Sequence, residues 1–289
     1  MATITVVCTT KNIENYIHDC LSSIIEDQGW DEDFQLDLIV VDNGSTDSTR
    51  EIVKSFLHDG RVRLIDNLDL GGGSSRNMGI ELARGEFLAF VDGDDLVPPN
   101  SYRKMWESLQ ESGSDIVLGN YLHFNSKRAW RQNHLWFAPA KGLTLSERPS
   151  LIRSRVVWNK LYRTDFLRSA KVVFPDVPRA NDIVAMTTAI LAAKTMDVIP
   201  DNIYLYRHRP GSSSMTSNAG NWRGYKSYLS QECICAKLVA PTKESAIYKS
   251  YCRFAMKRLF GGTSRFGHYY AKKIVLGCRW RAKKFLRIK

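Results

Sequence analysis

Val91-Asp92-Gly93-Asp94-Asp95 sets three carboxylates around one glycine, directly after the apolar run Glu86-Phe87-Leu88-Ala89-Phe90-Val91. That run has the length, continuity and aromatic or β-branched content of a buried strand. Acids at the carboxyl end of such a strand point into the crevice where open α/β sheets take their ligands. Carboxylates this close repel one another unless a cation lies between them, and hard divalent ions favour oxygen ligands. Gly93 lets the backbone approach whatever is bound. The competing reading is a solvated Asp-Gly turn, since both residue types are common in turns.

Around this stretch the chain alternates strand-like and helix-like segments. Strands are predicted at 4–8, 36–41, 62–65, 86–91 and 115–118. Helices are predicted at 13–25, 47–57, 75–83 and 100–110. The first helix rests on Ile13, Tyr16, Ile17, Cys20, Leu21, Ile24 and Ile25 at helical spacing. Such alternation specifies a parallel sheet with helices on both faces, and right-handed crossovers bring the strand-end loops to one edge. Residues 120–160, rich in Trp, His and Arg, read as long loops around a site. A helix follows at 180–194 and β-type sequence at 198–206. From about residue 218 the pattern is helical, apolar and basic. No internal repeat or low-complexity linker interrupts the chain.

Composition narrows the class. The chain has 289 residues, 44% apolar and 25% charged, which is ordinary for a soluble globular protein of one large or two smaller domains. Its formal charge of +11 is uneven. Residues 249–289 hold thirteen Lys or Arg and no Asp or Glu, leaving −2 for residues 1–248. The six cysteines show no paired Cys-x-x-Cys spacing, and Cys233-Ile234-Cys235 is too tight for a zinc knuckle. They read as reduced thiols of a cytoplasmic protein. The amino terminus lacks the basic and apolar regions of a signal peptide, and the longest apolar stretch, near 183–193, is too short to span a bilayer.

Four strand-end loops carry the chemistry. They are Thr9-Thr10-Lys11-Asn12, then Asp42-Asn43-Gly44-Ser45-Thr46-Asp47, then Gly71-Gly72-Gly73-Ser74-Ser75-Arg76-Asn77, and the acid cluster. Ser45 or Thr46 is a candidate cap for the following helix. A strand-end acid can accept hydrogen bonds from a base N–H or a ribose hydroxyl. Arg76, near a helix start, can meet phosphate. The acid cluster can hold the metal that neutralises a diphosphate leaving group. Turns and caps explain each loop singly, but not their joint order.

Asn12-Ile13-Glu14-Asn15-Tyr16-Ile17, Ile39-Val40-Val41-Asp42-Asn43-Gly44-Ser45-Thr46-Asp47, Ser75-Arg76-Asn77-Met78-Gly79-Ile80 and Gly85-Glu86-Phe87 through Asp95, with Trp158-Asn159-Lys160-Leu161-Tyr162, Asn181-Asp182, Tyr206-Arg207 and Gly211-Ser212, resemble the family 2 glycosyltransferases of the GT-A fold over roughly residues 1–215. The resemblance implies an α/β protein with a Rossmann-like, mostly parallel sheet flanked by helices. It places a catalytic domain at 1–217, with a nucleotide-sugar half at 1–119 and an acceptor half at 120–217. A basic helical extension occupies 218–289. It implies metal-assisted, inverting transfer of a hexosyl or N-acetylhexosaminyl group from a nucleotide-diphosphate sugar, a UDP-sugar foremost, to an acceptor hydroxyl. The setting implied is assembly of a surface polysaccharide or lipid-linked glycan.

By the same resemblance Asp42 binds the base and Asp92 the ribose or donor sugar, with Thr9, Asn12, Arg76 and Gly93 on the donor side. Asp94, within the Asp-x-Asp motif, is the principal ligand of Mn²⁺ or Mg²⁺. Asp182 is the general base, and Asp95, Trp158, Asn159 and Arg207 lie on the acceptor side. One base suffices for inversion, because the acceptor oxygen attacks opposite the departing diphosphate. A helix cap is the structural alternative for Asp182.

Three departures from the family pattern stand out. Thr9 and Lys11 replace the Pro and Tyr of Pro-x-Tyr-Asn, and Lys11 offers a phosphate contact. Asn181-Asp182 replaces the frequent Glu-Asp pair. His208, between Arg207 and Arg209, is a further candidate metal ligand.

Other classes fare worse. A dinucleotide-dependent oxidoreductase needs Gly-x-Gly-x-x-Gly at the first strand–helix turn, which here is Thr9-Thr10-Lys11-Asn12. A nucleotidyltransferase needs a glycine-rich, basic phosphate loop near the amino terminus. The tail's Tyr269, Tyr270, Trp280 and Phe285 among its cations suit nucleic acid in principle, with the α/β domain binding only nucleotide. No recognition motif supports that alternative, and no nucleic-acid partner is expected. The tail instead suggests peripheral attachment to the anionic inner face of the cell membrane, or a helix packed on the catalytic domain with its charges in water.

Overall fold

β1 (Ala2–Thr10), β2 (Phe34–Asp42), β3 (Val62–Asp66) and β4 (Phe87–Asp92) form a parallel block in the order β3-β2-β1-β4. The coordinates are a computed structural model that describes residues 1–67, 71–131, 138–209, 222–242 and 245–260. Phe87, Leu88, Ala89, Phe90 and Val91 are each at most 1% exposed, so β4 is the doubly covered strand its continuous apolar run predicts. Register does the rest. Thr10 pairs with Asp42 and Thr9 with Asp92, which brings the carboxyl ends of three neighbouring strands level at one sheet edge.

The crossovers carry α1 (Ile17–Ile25), α2 (Thr49–Ser55), α3 (Gly72–Leu82) and α4 (Ser101–Ser112). α1 buries Ile17, Cys20, Leu21 and Ile24, a single stripe at helical spacing. It starts later than residue 13. Asn12 adopts φ +50°, and the N–H groups of Ile13 and Glu14 donate to Thr49 Oγ1 and Asp47 Oδ2 at 2.8 and 3.1 Å. These cross-loop bonds hold residues 12–16 as a turn over the next loop.

The second half extends the sheet as a mixed one. β5 (Ile116–Phe124), β6 (Ala129–Trp130), β7 (Ala140–Leu143), β8 (Lys160–Arg163) and β9 (Met196–Arg207) continue it in the order β4-β8-β5-β9-β7, with β6 beside β5. β8 runs antiparallel to both its neighbours, while β9 is parallel to β5. Part of the 120–160 region predicted as loop is therefore strand, in pieces too short to show alternation. α5 (Thr164–Ser169) and α6 (Asn181–Ala192) pack on this half.

α7 (Trp222–Val239) and α8 (Ala246–Phe260) contribute side chains to the common core. Cys235, Val239, Ile247, Tyr251 and Ala255 are all buried in it. Glu232 on α7 receives Arg155 through two bonds of 2.9 and 2.7 Å, together with the hydroxyls of Tyr228 (2.6 Å) and Tyr251 (3.0 Å). The boundary expected at 217/218 and the basic stretch 261–289 lie outside the described residues. No described helix is long and apolar enough to cross a membrane, and the described cysteines are free thiols.

Candidate active site

The loops after β1 and β2 are sewn together by their polar side chains. Asp42, almost fully buried, accepts the Ser45 hydroxyl (2.5 Å), the Ser45 N–H (3.1 Å) and the Thr10 hydroxyl (3.2 Å). Ser45 is thereby engaged at the loop and does not cap α2. The N–H of Thr49, the first residue of that helix, donates instead to Asp47 at 3.0 Å. Asn12 Oδ1 accepts the Thr46 N–H at 2.8 Å, and the Asn12 N–H donates to Ser45 Oγ at 3.1 Å. Asn12 thus braces the loop pair.

In the acid cluster the side chains diverge. Asp92 Oδ1 accepts Arg76 Nη2 at 2.6 Å and the Thr9 hydroxyl at 3.4 Å. Asp94 Oδ2 lies 2.9 Å from Arg209 Nε. Asp95 turns inward to the Tyr204 hydroxyl and the Arg207 N–H, both at 2.7 Å, and Tyr204 in turn accepts the Asp92 N–H at 3.1 Å. Burial pushes the carboxyls of Asp94 and Asp95 up, and the neighbouring carboxylates add to it; Arg209 opposes the rise at Asp94.

Several expected site positions serve the scaffold. Gly93 was expected to admit a ligand. A Cβ there would instead lie 2.7 Å from Ile13 Cδ1 and 3.1 Å from Ile17 Cδ1, so the glycine makes room for apolar packing. Asp95 faces Tyr204 rather than an acceptor. Arg207 lies beneath the loop, its Nε donating to the Asp94 carbonyl at 2.7 Å and its guanidinium over the Phe124 ring at 4.7 Å. Asn159 is buried and ties β8 to the Gly119 carbonyl at 2.8 Å. Arg76 was expected to meet phosphate, but both its terminal nitrogens are engaged, with Asp92 and with Asn181 Oδ1 at 3.1 Å.

Beside Asp92 opens a cleft of about 330 Å³. Its walls include Arg76 and Asp92, Asn181 and Asp182 at the start of α6, Trp158, and Tyr206 and His208 at the end of β9. Tyr228 of α7 and Phe254 of α8 close it, so the carboxy-terminal helices supply part of the wall. Ala180 enters α6 at φ +60°, a strained turn for an alanine, and no side-chain bond caps the helix. Asp182, in the first turn of α6, lines the cleft. Burial raises its pKa, and Arg76 partly offsets that rise.

The sequence reading missed Lys160, His123, Tyr206, Tyr228 and Phe254. Lys160 is fully buried, with Nζ donating to the Val156 carbonyl (2.5 Å) and Asn159 Oδ1 (2.7 Å). Burial brings its pKa down to about 7, against the pull of Asp182. His208 Nε2 lies 2.7 Å from His123 Nδ1, and burial lowers the His208 pKa. Trp158 stacks on Tyr204 with centroids 4.3 Å apart. Lys160 and Tyr206 stand within the segments Trp158-Asn159-Lys160-Leu161-Tyr162 and Tyr206-Arg207; His123, Tyr228 and Phe254 carried no local signal.

Among the described residues no three His, Cys, Asp or Glu side chains converge on one metal position. His208 is paired with His123. Mg²⁺ and Mn²⁺ sites need less, commonly one or two carboxylates completed by substrate phosphates and water. Asp92 and Asp94 fit that donor set, and the Arg209 guanidinium on Asp94 shows where positive charge is accommodated.

A parallel block whose fourth strand ends at Asp92, with Asp182 lining the same cleft, has the architecture of the GT-A fold. The glycosyl transferase family 2 profile matches residues 5–170, more than half of the chain, and the chain belongs to that family. It is 29% identical over 234 residues to Glycosyltransferase GlyG of Streptococcus pneumoniae, covering 76% of this chain and 75% of GlyG. It is 27% identical over 227 residues to the poly(ribitol-phosphate) beta-N-acetylglucosaminyltransferase TarS of Staphylococcus aureus, covering 75% of this chain but only 37% of TarS. The crystal structure of TarS 1-349 in complex with UDP-GlcNAc superposes with a TM-score of 0.74 at 23% identity, over 89% of this chain and 71% of that one. The mannosyltransferase PcManGT of Pyrobaculum calidifontis, in complex with GDP-Man and Mn²⁺, gives 0.59 at 14% identity, over 96% and 79%. These superpositions establish the shared fold.

Proposed function

We propose that this glycosyltransferase moves a hexosyl or N-acetylhexosaminyl group from a UDP-sugar to an acceptor hydroxyl with inversion. The observation that carries the proposal is the cleft itself, in which Asp92 and Asp182 face one space and Arg76 links Asp92 to the residue before Asp182. Asp42 and Asp92, at the level ends of β2 and β4, hold base and ribose or sugar, with Thr9 and the Asn12 brace beside them. Asp94, helped by Asp92, would hold Mn²⁺ or Mg²⁺, which when bound neutralises charge on the departing diphosphate. Asp182 takes the proton of the acceptor hydroxyl, and its raised pKa makes it a stronger base for that step. Trp158, Tyr206, Tyr228 and Phe254 give the acceptor side apolar surface and exclude water. Asp95, Asn159 and Arg207 act one layer behind, as supports.

The UDP-GlcNAc in the TarS complex supports the donor class, and the GDP-Man and Mn²⁺ of the PcManGT complex support metal-assisted nucleotide-sugar chemistry. The TarS name, which gives poly(ribitol-phosphate) as that protein's acceptor, supports a polymer hydroxyl as the acceptor here, in a surface polysaccharide, with a lipid-linked glycan as the other acceptor class. The thirteen cations of 249–289 support attachment to an anionic inner membrane surface. A panel of UDP- and GDP-sugars, read by thermal shift and by transfer or slow hydrolysis with and without divalent metal, tests the reading. Stabilisation and turnover with a UDP-sugar and metal are expected. Indifference to every nucleotide sugar would overturn it.

A further inference from the structure

We propose that Arg209 is the resident counter-ion of Asp94, and that it exchanges onto the nucleoside diphosphate when cation and nucleotide arrive together. This rests on the reading of Asp94 as a metal ligand. Arg209 Nε lies 2.9 Å from Asp94 Oδ2, with side-chain exposures of 17% and 21%. The contact is anchored from below. Arg207 holds the Asp94 carbonyl through Nε and Asp95 through its N–H, and the His208 N–H donates to the Phe124 carbonyl at 2.8 Å. The backbone leading to residue 209 is thus fastened at the end of β9, and its long side chain can reach different partners without moving the strand.

Electrostatics fixes the sign. A cation bound at Asp94 would sit beside a guanidinium already hydrogen-bonded to that carboxylate, and the partial burial of both groups limits screening. Free metal therefore meets a site that carries its own positive charge. A diphosphate changes the balance, because two oxygens of one tetrahedral phosphoryl group can accept both arms of the planar arginine fork. Arg209 then neutralises the nucleotide, and Asp94 is released to the metal. By linkage the nucleotide strengthens metal binding as much as the metal strengthens nucleotide binding. The negative charge of Asp94 is never left unbalanced, and an empty site does not capture metal by itself.

The test uses full-length protein with Mn²⁺ alone, followed by electron paramagnetic resonance of the free ion, and separately UDP at saturating Mn²⁺, followed by calorimetry. Arg209→Gln should bind Mn²⁺ alone at least about tenfold more tightly than wild type. It should bind UDP about tenfold more weakly. Arg209→Lys, which keeps the charge, should keep the weak Mn²⁺ binding of wild type. Asp94→Asn should abolish Mn²⁺ binding in both backgrounds. If Asp94→Asn binds Mn²⁺ normally, the metal assignment fails and the exchange with it. If Asp94→Asn loses Mn²⁺ but Arg209→Gln gains none, or retains UDP affinity, or is matched by Arg209→Lys, the exchange alone is overturned.

Discussion

The guanidinium of Arg76 lies 2.6 Å from Asp92 Oδ1, and this contact ties the acid cluster to the start of α6 through the second bond to Asn181. A lysine has one nitrogen and cannot hold both partners in that planar geometry. Arg76→Lys should lower kcat by roughly 10²-fold through misplacement of Asp182 relative to the donor. Nucleotide affinity should change little. Steady-state kinetics beside UDP titration checks this, and an unchanged kcat would reduce Arg76 to packing.

Asp182→Asn should lower turnover by roughly 10²–10⁴, the range a positioned base supplies, and leave donor affinity near wild type. Stability should move the other way. Burial raises the folded-state pKa of Asp182, so the stability it contributes is full below its unfolded pKa and is lost as pH rises through the folded value. The asparagine, already neutral, should melt above wild type at neutral pH and converge with it in acid. Wild-type activity should climb with pH over the same interval, since only the ionised carboxylate accepts a proton. A variant that melts below wild type at pH 7 would contradict this.

Asp94→Asn should abolish transfer in Mn²⁺ or Mg²⁺, and excess chelator should do the same to wild type. Initial rates before and after dialysis against chelator, with metal restored, provide the measurement. Full turnover in chelator would exclude Asp94 from metal binding.

Lys160 gives a separate pH signature. Its folded pKa of about 7 lies below the unfolded value, so the unfolded chain binds more protons above neutrality. This group's contribution to stability should therefore grow as pH rises from about 7 and be complete above the unfolded lysine pKa. Urea midpoints of wild type and Lys160→Met across that range should show the slope only in wild type.

The basic tail can be tested by vesicle co-sedimentation. Tyr251 and Ala255 are buried, so the cut belongs after Phe260, which still removes nine Lys or Arg. The shortened chain should lose binding to anionic vesicles, and full-length binding should weaken with salt. Equal binding by both would dismiss residues 261–289 as an anchor.

The first hundred residues were legible because burial on both faces leaves an unbroken apolar run, and each run ends at a polar loop. β4 and the positions of Asp42 and Asp92 follow from that pattern alone. What the sequence hid was direction. Asp95, Asn159 and Arg207 are polar residues beside the site, yet they turn to Tyr204, to the Gly119 carbonyl and to the Asp94 carbonyl. Only tertiary packing decides that. β8 has four residues, too few for any period, and Gly93 answers to Ile13, which lies eighty positions away in the chain.

Glu232 carries a consequence for recombination between relatives. Its carboxylate is the shared acceptor of Arg155, Tyr228 and Tyr251, and both members of the ion pair are 5% exposed. Burial alone would raise its pKa, but Arg155 holds it below the usual carboxylate range. Removing either charge by itself should cost about 3–5 kcal/mol, the expense of stranding the other. A chimera that exchanges α7 and α8 must therefore bring position 155 with them, although it lies 77 residues upstream. The unit that Arg155 forms with the two carboxy-terminal helices is discontinuous in sequence, and grafts cut at a single boundary should misfold before any change in activity can be read.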